Sequence, residues 1–78
     1  MKDMKCSIVS SEERQEFNDV KSVTLPAFSG EMQILPDHAE NFISLQKGEI
    51  ILETDKTKTL PIESGVCHVK NNTVVILL

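Results

Sequence analysis

Short alternating runs broken by turn chemistry predict an all-β fold, a sandwich or barrel built on one core. Residues 5–10 and 20–25 alternate apolar with polar side chains, the period of two that strands show and helices do not. Turn-forming residues then recur every eight to twelve positions or so, the spacing of sandwiches and barrels. The chain has 78 residues and is 40% hydrophobic, enough for a single small domain over residues 1–78 and ordinary for a folded one. Its aromatics are Phe17, Phe28 and Phe42, so the core must be aliphatic.

In residues 5–10, Cys6 and Ile8 share one face, with Lys5 and Ser7 on the other. Ser11-Glu12-Glu13-Arg14 is a polar turn, and residues 15–17 make a short second strand closed by Asn18-Asp19. The run 20–25 sets Val23 and Leu25 against Ser22 and Thr24 and ends at Pro26, which has no N–H to give a ladder. Ala27-Phe28-Ser29-Gly30 reads as a loop, and residues 31–35 as a strand stopped by Pro36. Residues 38–42 admit a helical turn, but Phe42-Ile43-Ser44-Leu45 before Lys47-Gly48 favours strand. Residues 49–54 and 57–62 flank Asp55-Lys56, a tight hairpin lacking a turn glycine. Residues 66–70 and 73–77 flank Asn71-Asn72, and asparagine tolerates the positive φ of a primed turn.

Several function classes are excluded. A net charge of −4 with a single arginine repels a phosphate backbone, so no nucleic-acid partner is expected. No apolar stretch follows the polar opening Met1-Lys2-Asp3-Met4-Lys5, so no signal peptide is expected, and Val74-Val75-Ile76-Leu77-Leu78 is too short to insert into a bilayer. Cys67 and His68 are adjacent, but neighbours on a strand point to opposite faces and cannot pair as nucleophile and base. Cys6, Cys67, His38 and His68 lack the close paired spacing of metal ligands. A Cys6–Cys67 disulfide needs the terminal strands to pair, and a reducing compartment argues against it. No glycine-rich phosphate loop is present, so neither a cofactor nor ATP binding is expected. A thiol or metal protein is the weakest reading, and binding rather than catalysis the strongest.

The middle of the chain is more specific. Lys21-Ser22-Val23-Thr24-Leu25-Pro26, then Gly30-Glu31-Met32-Gln33-Ile34-Leu35-Pro36-Asp37-His38-Ala39, then Lys47-Gly48-Glu49-Ile50 closely resembles the ATP synthase epsilon subunit. Ile8-Val9-Ser10-Ser11-Glu12 with Phe17, and Ser64-Gly65 with Val69-Lys70-Asn71-Asn72 and Val74, resemble the same family's opening and close, so nearly the whole chain is covered. Departures occur at Ala27, Gln33, Asp37 and Val66, where the family pattern has glycine, and at Glu40, where it has proline. Members usually continue into a C-terminal helical hairpin that can inhibit the enzyme and sometimes binds ATP. The sequence ends at Leu78, and the expectation is a chain without that arm, whether naturally short or shortened.

The resemblance implies a flattened ten-strand sandwich and a non-catalytic rotor subunit in the central stalk. It would sit peripherally at the cytoplasmic face of the membrane, between the gamma subunit and the c-subunit ring. The loop of Glu31 and the turn of His38 would then face the c ring, and Phe42, Ile43 and Leu45 the gamma subunit. Each has a plainer reading: Glu31 as a solvated acid, His38 as a turn cap beside Pro36, Ile43 and Leu45 as core partners on the face opposite Phe42. A freestanding adaptor that kept the fold but binds another protein is the alternative. Val74-Val75-Ile76-Leu77-Leu78, apolar on both faces, must be covered on both sides or offered to a partner.

Overall fold

In the computed structural model, which describes residues 3–78, the alternating runs are all strands. They are β1 (Met4–Val9), β2 (Arg14–Val20), β3 (Ser22–Ala27), β4 (Gly30–Ile34), β5 (Asn41–Leu45), β6 (Gly48–Glu53), β7 (Thr57–Ile62), β8 (Gly65–Lys70) and β9 (Thr73–Leu77). The fold class is as expected, with nine strands among the described residues where the resemblance implied ten.

The strands form one continuous path, β2-β1-β9-β8-β5-β3-β6-β7, with β4 paired to the other edge of β3. The path narrows between β5 and β3 to the single pair Ala27↔Leu45, and there the sheet folds over into two layers. Period-two alternation turns one face of each layer inward, and every strand contributes to one aliphatic core that includes Met4, Leu25, Ile34, Leu45, Ile50, Leu52 and Ile76. The far ends of the path also meet. Lys58 on β7 holds its ammonium 5.1 Å from the ring centroid of Phe17 on β2, a cation–π contact across the open side.

Three local features differ from the sequence reading. Met4 pairs with Val20 but Cys6 with Phe17, so β2 takes three steps where β1 takes two. The extra residue is a bulge at Asn18-Asp19, with Asp19 at φ 55°, and it lets both Phe17 and Val20 reach the core. Asn18-Asp19 therefore bends a strand rather than ending it. Pro26 likewise lies inside β3, paired with Glu31. Beyond Thr24, β3 leaves β6, and it meets β5 only at Ala27, so the missing N–H of Pro26 falls in the gap between two partners. Its carbonyl still accepts from the Gln46 N–H at 2.9 Å. The β3–β4 connection shrinks to Phe28-Ser29, and the β6–β7 loop is three residues, Thr54-Asp55-Lys56. Ser22, assigned to the outer face, is buried beside Val23.

The β8–β9 turn is as expected: Lys70 pairs with Thr73, leaving Asn71 and Asn72 at φ 51° and 57°. Asn72 also receives the Asp37 N–H on its Oδ1 at 2.6 Å and donates to Asp37 Oδ1 at 3.2 Å, tying the turn before β5 to the β8–β9 turn. Of the positions where the family pattern has glycine, Asp37 alone takes positive φ (66°); Ala27, Gln33 and Val66 are ordinary strand residues.

The cysteines are inert core residues. β1 and β9 do pair, in parallel, but Cys6 faces Val74 and Cys67 faces Ile76, so β9 lies between them and both stay free. Burial pushes each thiol up to about 12, the nearby Cys67 adding to the effect on Cys6. Both should react with a thiol reagent only as fast as the chain opens, so their labelling rate should track unfolding by urea; fast labelling in native buffer would contradict this burial.

Gly48 carries the clearest steric constraint. A Cβ there would sit 2.6 Å from Pro26 Cβ and 3.1 Å from its Cγ, ring atoms that cannot swing aside. Gly48→Ala should cost about 1–3 kcal/mol of stability, seen as a lower urea midpoint with an unchanged slope.

Candidate protein-interaction surface

The outer face of the β5-β8-β9-β1 layer can be read from the strand registers. One cross-strand row runs Phe42–His68–Val75–Ser7–Glu16, and the next runs Ser44–Val66–Leu77–Val9–Arg14. Alternation has already sent Ile43, Leu45, Cys67, Val69, Val74 and Ile76 inward, so the apolar members of these rows meet solvent. Phe42 is 69% exposed and Leu77 52%, with Val66 and Leu78 exposed beside them. The two-sided apolar character of the last strand is therefore real: Val74 and Ile76 fill the core, while Leu77 stands outside it.

Phe42 is held by its neighbours. Its ring lies parallel to the His68 imidazole, with centroids 4.2 Å apart and planes within 3°. They are direct cross-strand partners, the relation in which side chains stack most closely. His68 Nε2 lies 3.0 Å from Glu40 Oε2, at hydrogen-bonding distance. That hydrogen bond, followed by the charge of Lys70, holds the Glu40 carboxyl below its ordinary value. On one side of Phe42 a shallow depression lined by Phe28, Met32 and Asn41 opens toward the β3–β4 turn, where Phe28 is itself 69% exposed. Beyond Glu40 lies a second, polar depression lined by Asp37, His38 and Lys70.

The residues singled out from the sequence are placed as follows. Phe42 is exposed on the outer face, but Ile43 and Leu45 are 5% and 1% exposed and belong to the core, because period two turns them inward. Of these three, Phe42 alone is placed for direct contact. Glu31 is exposed beside the β3–β4 turn. His38 lies beyond the other end of β4, and the stretch from Glu31 to Ile34 alone spans roughly 10 Å at the usual strand rise. Those two are not brought together. His38 instead shares the polar depression with Glu40, and its Nδ1 lies 2.8 Å from its neighbour Ala39's carbonyl oxygen. The sequence reading missed Glu40 and His68 as a pair and Phe28 as a surface residue. Only the β5–β8 register would have joined the first two, 28 positions apart.

Among the described residues no group of His, Cys, Asp or Glu is placed to hold a metal ion, and no helix is long and apolar enough to cross a membrane.

Comparisons with known proteins agree on the family of this fold. The family model for the β-sandwich domain of the ATP synthase delta/epsilon chain matches residues 3–78. The ATP synthase epsilon chain of Aliarcobacter butzleri is 37% identical, aligned over 99% of this chain and 62% of the relative. That of Helicobacter pylori is also 37% identical, over 95% and 61%. The chain thus spans about three-fifths of the curated relatives it matches. Among solved structures, a chain of the Euglena gracilis mitochondrial ATP synthase assembly of OSCP, F1 and c-ring superposes with a TM-score of 0.88 at 22% identity, covering 96% of this chain and 49% of that one. A chain of the Tetrahymena thermophila mitochondrial ATP synthase central stalk and c-ring gives 0.84 at 13%, covering 97% and 63%. At such identities these two show a shared fold.

The Glu40–His68 contact has a measurable signature. A carboxyl held below its ordinary value adds stability that is complete above the unfolded glutamate range, about 4.3, and is lost as pH falls through the lower folded value. Urea midpoints of wild type and Glu40→Gln should differ slightly near neutrality and converge in acid. A gap that persists into strong acid would show that the carboxylate is not the cause.

Proposed function

The chain belongs to the delta/epsilon-chain β-sandwich family of ATP synthases, and from that membership we propose that it is a non-catalytic rotor subunit of the central stalk. In this reading it joins the gamma subunit to the c-subunit ring and supports coupling of proton-driven rotation to ATP synthesis. It would sit peripherally at the cytoplasmic face of the energy-transducing membrane, without entering the bilayer. The two relatives named above are epsilon chains, and the two solved assemblies contain a c-ring.

The observation that carries the reading is the uncovered outer face around Phe42, on a sheet whose core is already complete without it. A rotor joint must transmit torque, which suits a broad, rigid, partly apolar face better than a cleft. Covering a phenylalanine side chain contributes about 1.5–3 kcal/mol, enough to make Phe42 a centre of gamma binding. The β3–β4 turn with Glu31 offers the opposite chemistry, an exposed acid suited to a polar contact with the ring. His38, in the polar depression beyond the other end of β4, would make a second, separate polar contact with the ring.

Two substitutions should therefore separate the two joints. Phe42→Glu should weaken binding of purified gamma roughly ten- to a hundredfold while leaving the folded chain's circular dichroism and urea midpoint nearly unchanged. Glu31→Lys should spare gamma binding but weaken attachment to isolated c ring by a few-fold, more at low salt than at high. Gamma binding that is indifferent to Phe42→Glu would move the joint to another face and favour a freestanding adaptor.

A further inference from the structure

Phe42 is exposed, yet one face of its ring is covered. The imidazole of His68 lies parallel beneath one face at 4.2 Å, and His68 is itself fixed by Glu40 at 3.0 Å. We propose that His68, clamped by Glu40, is a positioning residue that presents Phe42 as a preformed platform for the gamma subunit and strengthens the joint when its imidazole is protonated. The inference rests on the reading of Phe42 as a gamma contact and adds its regulation.

The argument begins with ordering. A phenylalanine that must be immobilised on binding loses side-chain freedom at that moment; one already stacked has lost it during folding, and the partner meets a rigid aromatic surface. Protonation tightens both contacts of the clamp. An imidazolium donates a charge-assisted hydrogen bond to a carboxylate and is attracted by the π face of the ring above it. Covering the cluster does not strand a charge, because the carboxylate stays at hydrogen-bonding distance.

The charged and titratable groups around His68 are few. Glu40 faces it from the segment before β5, and its carboxyl is held on the ionised side of its ordinary range. Lys70 lies two residues along the same strand, and β5 and β9 face His68 with Phe42 and Val75, neither of them titratable. Asp37 and His38 line the adjoining depression on the far side of Glu40.

The test measures binding of purified gamma to the full chain by calorimetry near pH 6 and near pH 8, across the range in which imidazoles titrate. The proteins are wild type, Glu40→Gln, His68→Phe, which keeps a stacked ring without a charge, and Phe42→Ala. Wild type should bind roughly two- to fivefold tighter at the lower pH than His68→Phe does, after each is normalised to its own affinity at the higher pH. Glu40→Gln should shrink that advantage. Equal pH ratios in wild type and His68→Phe overturn the inference, even when Phe42→Ala binds at least tenfold more weakly and so upholds the gamma contact. Unchanged binding by Phe42→Ala removes the contact itself and the inference with it. A partner-free readout closes the test: in the free chain, the Phe42 ring proton resonances should move with pH along the His68 titration, and a flat response would refute the stacking.

Discussion

Strand β3 changes partners partway along its length, and the arrangement of the molecule follows from that change. Its first half pairs with β6 and its last residue with β5, while β4 runs along the other edge throughout. The gap between the two partners is where Pro26 is tolerated, and the close approach of its ring to Gly48 leaves no room for a side chain there. A proline within a fully paired strand would remove a ladder hydrogen bond; here it marks the fold line between the layers. Because the layers meet in backbone pairing only at Ala27↔Leu45, they can lie face to face and bury one aliphatic core.

The outer surface is a consequence of the inner one. Once alternation has committed Ile43, Leu45, Val74 and Ile76 to the core, Phe42 and Leu77 have no inward position left. They lie on a sheet whose register brings the long-separated Glu40 and His68 together. Their exposure is therefore compatible with a stable fold and at the same time makes a surface suited to burial by a partner. The same rigidity would suit the mechanical role proposed above: nine strands around one core deform little under load, and two contacts at different places on that body could link two partners.

The polar features of this face answer to pairing as well. Asp37 keeps the left-handed backbone where the family pattern has glycine, and Asn72 bridges to it, so the turn that delivers Glu40 to His68 is anchored to the β8–β9 turn. Aspartate and asparagine tolerate that conformation because their short side chains hydrogen-bond locally. The aspartate side chain thus supplies a tether that glycine could not provide.

Much of this was legible in residue order, because strand alternation and turn chemistry are local. The cores of the strands, the Asn71-Asn72 turn, the inward course of Ile43 and Leu45 opposite Phe42, and the divergence of Cys67 from His68 all follow from period two and from the residues that accept positive φ. The motifs around Pro26, Pro36 and Gly48 pointed to the family. Other features depended on which strand lies beside which. Asn18-Asp19 looks like a turn until Phe17 and Val20 are both required by the core, and Pro26 looks like a strand end until its missing N–H falls between two partners. Glu40 and His68 look unrelated until β5 and β8 are in register. Periodicity assigns a side chain to a face, but long-range pairing alone decides which other side chains share it, and the exposed face around Phe42 was settled at that level.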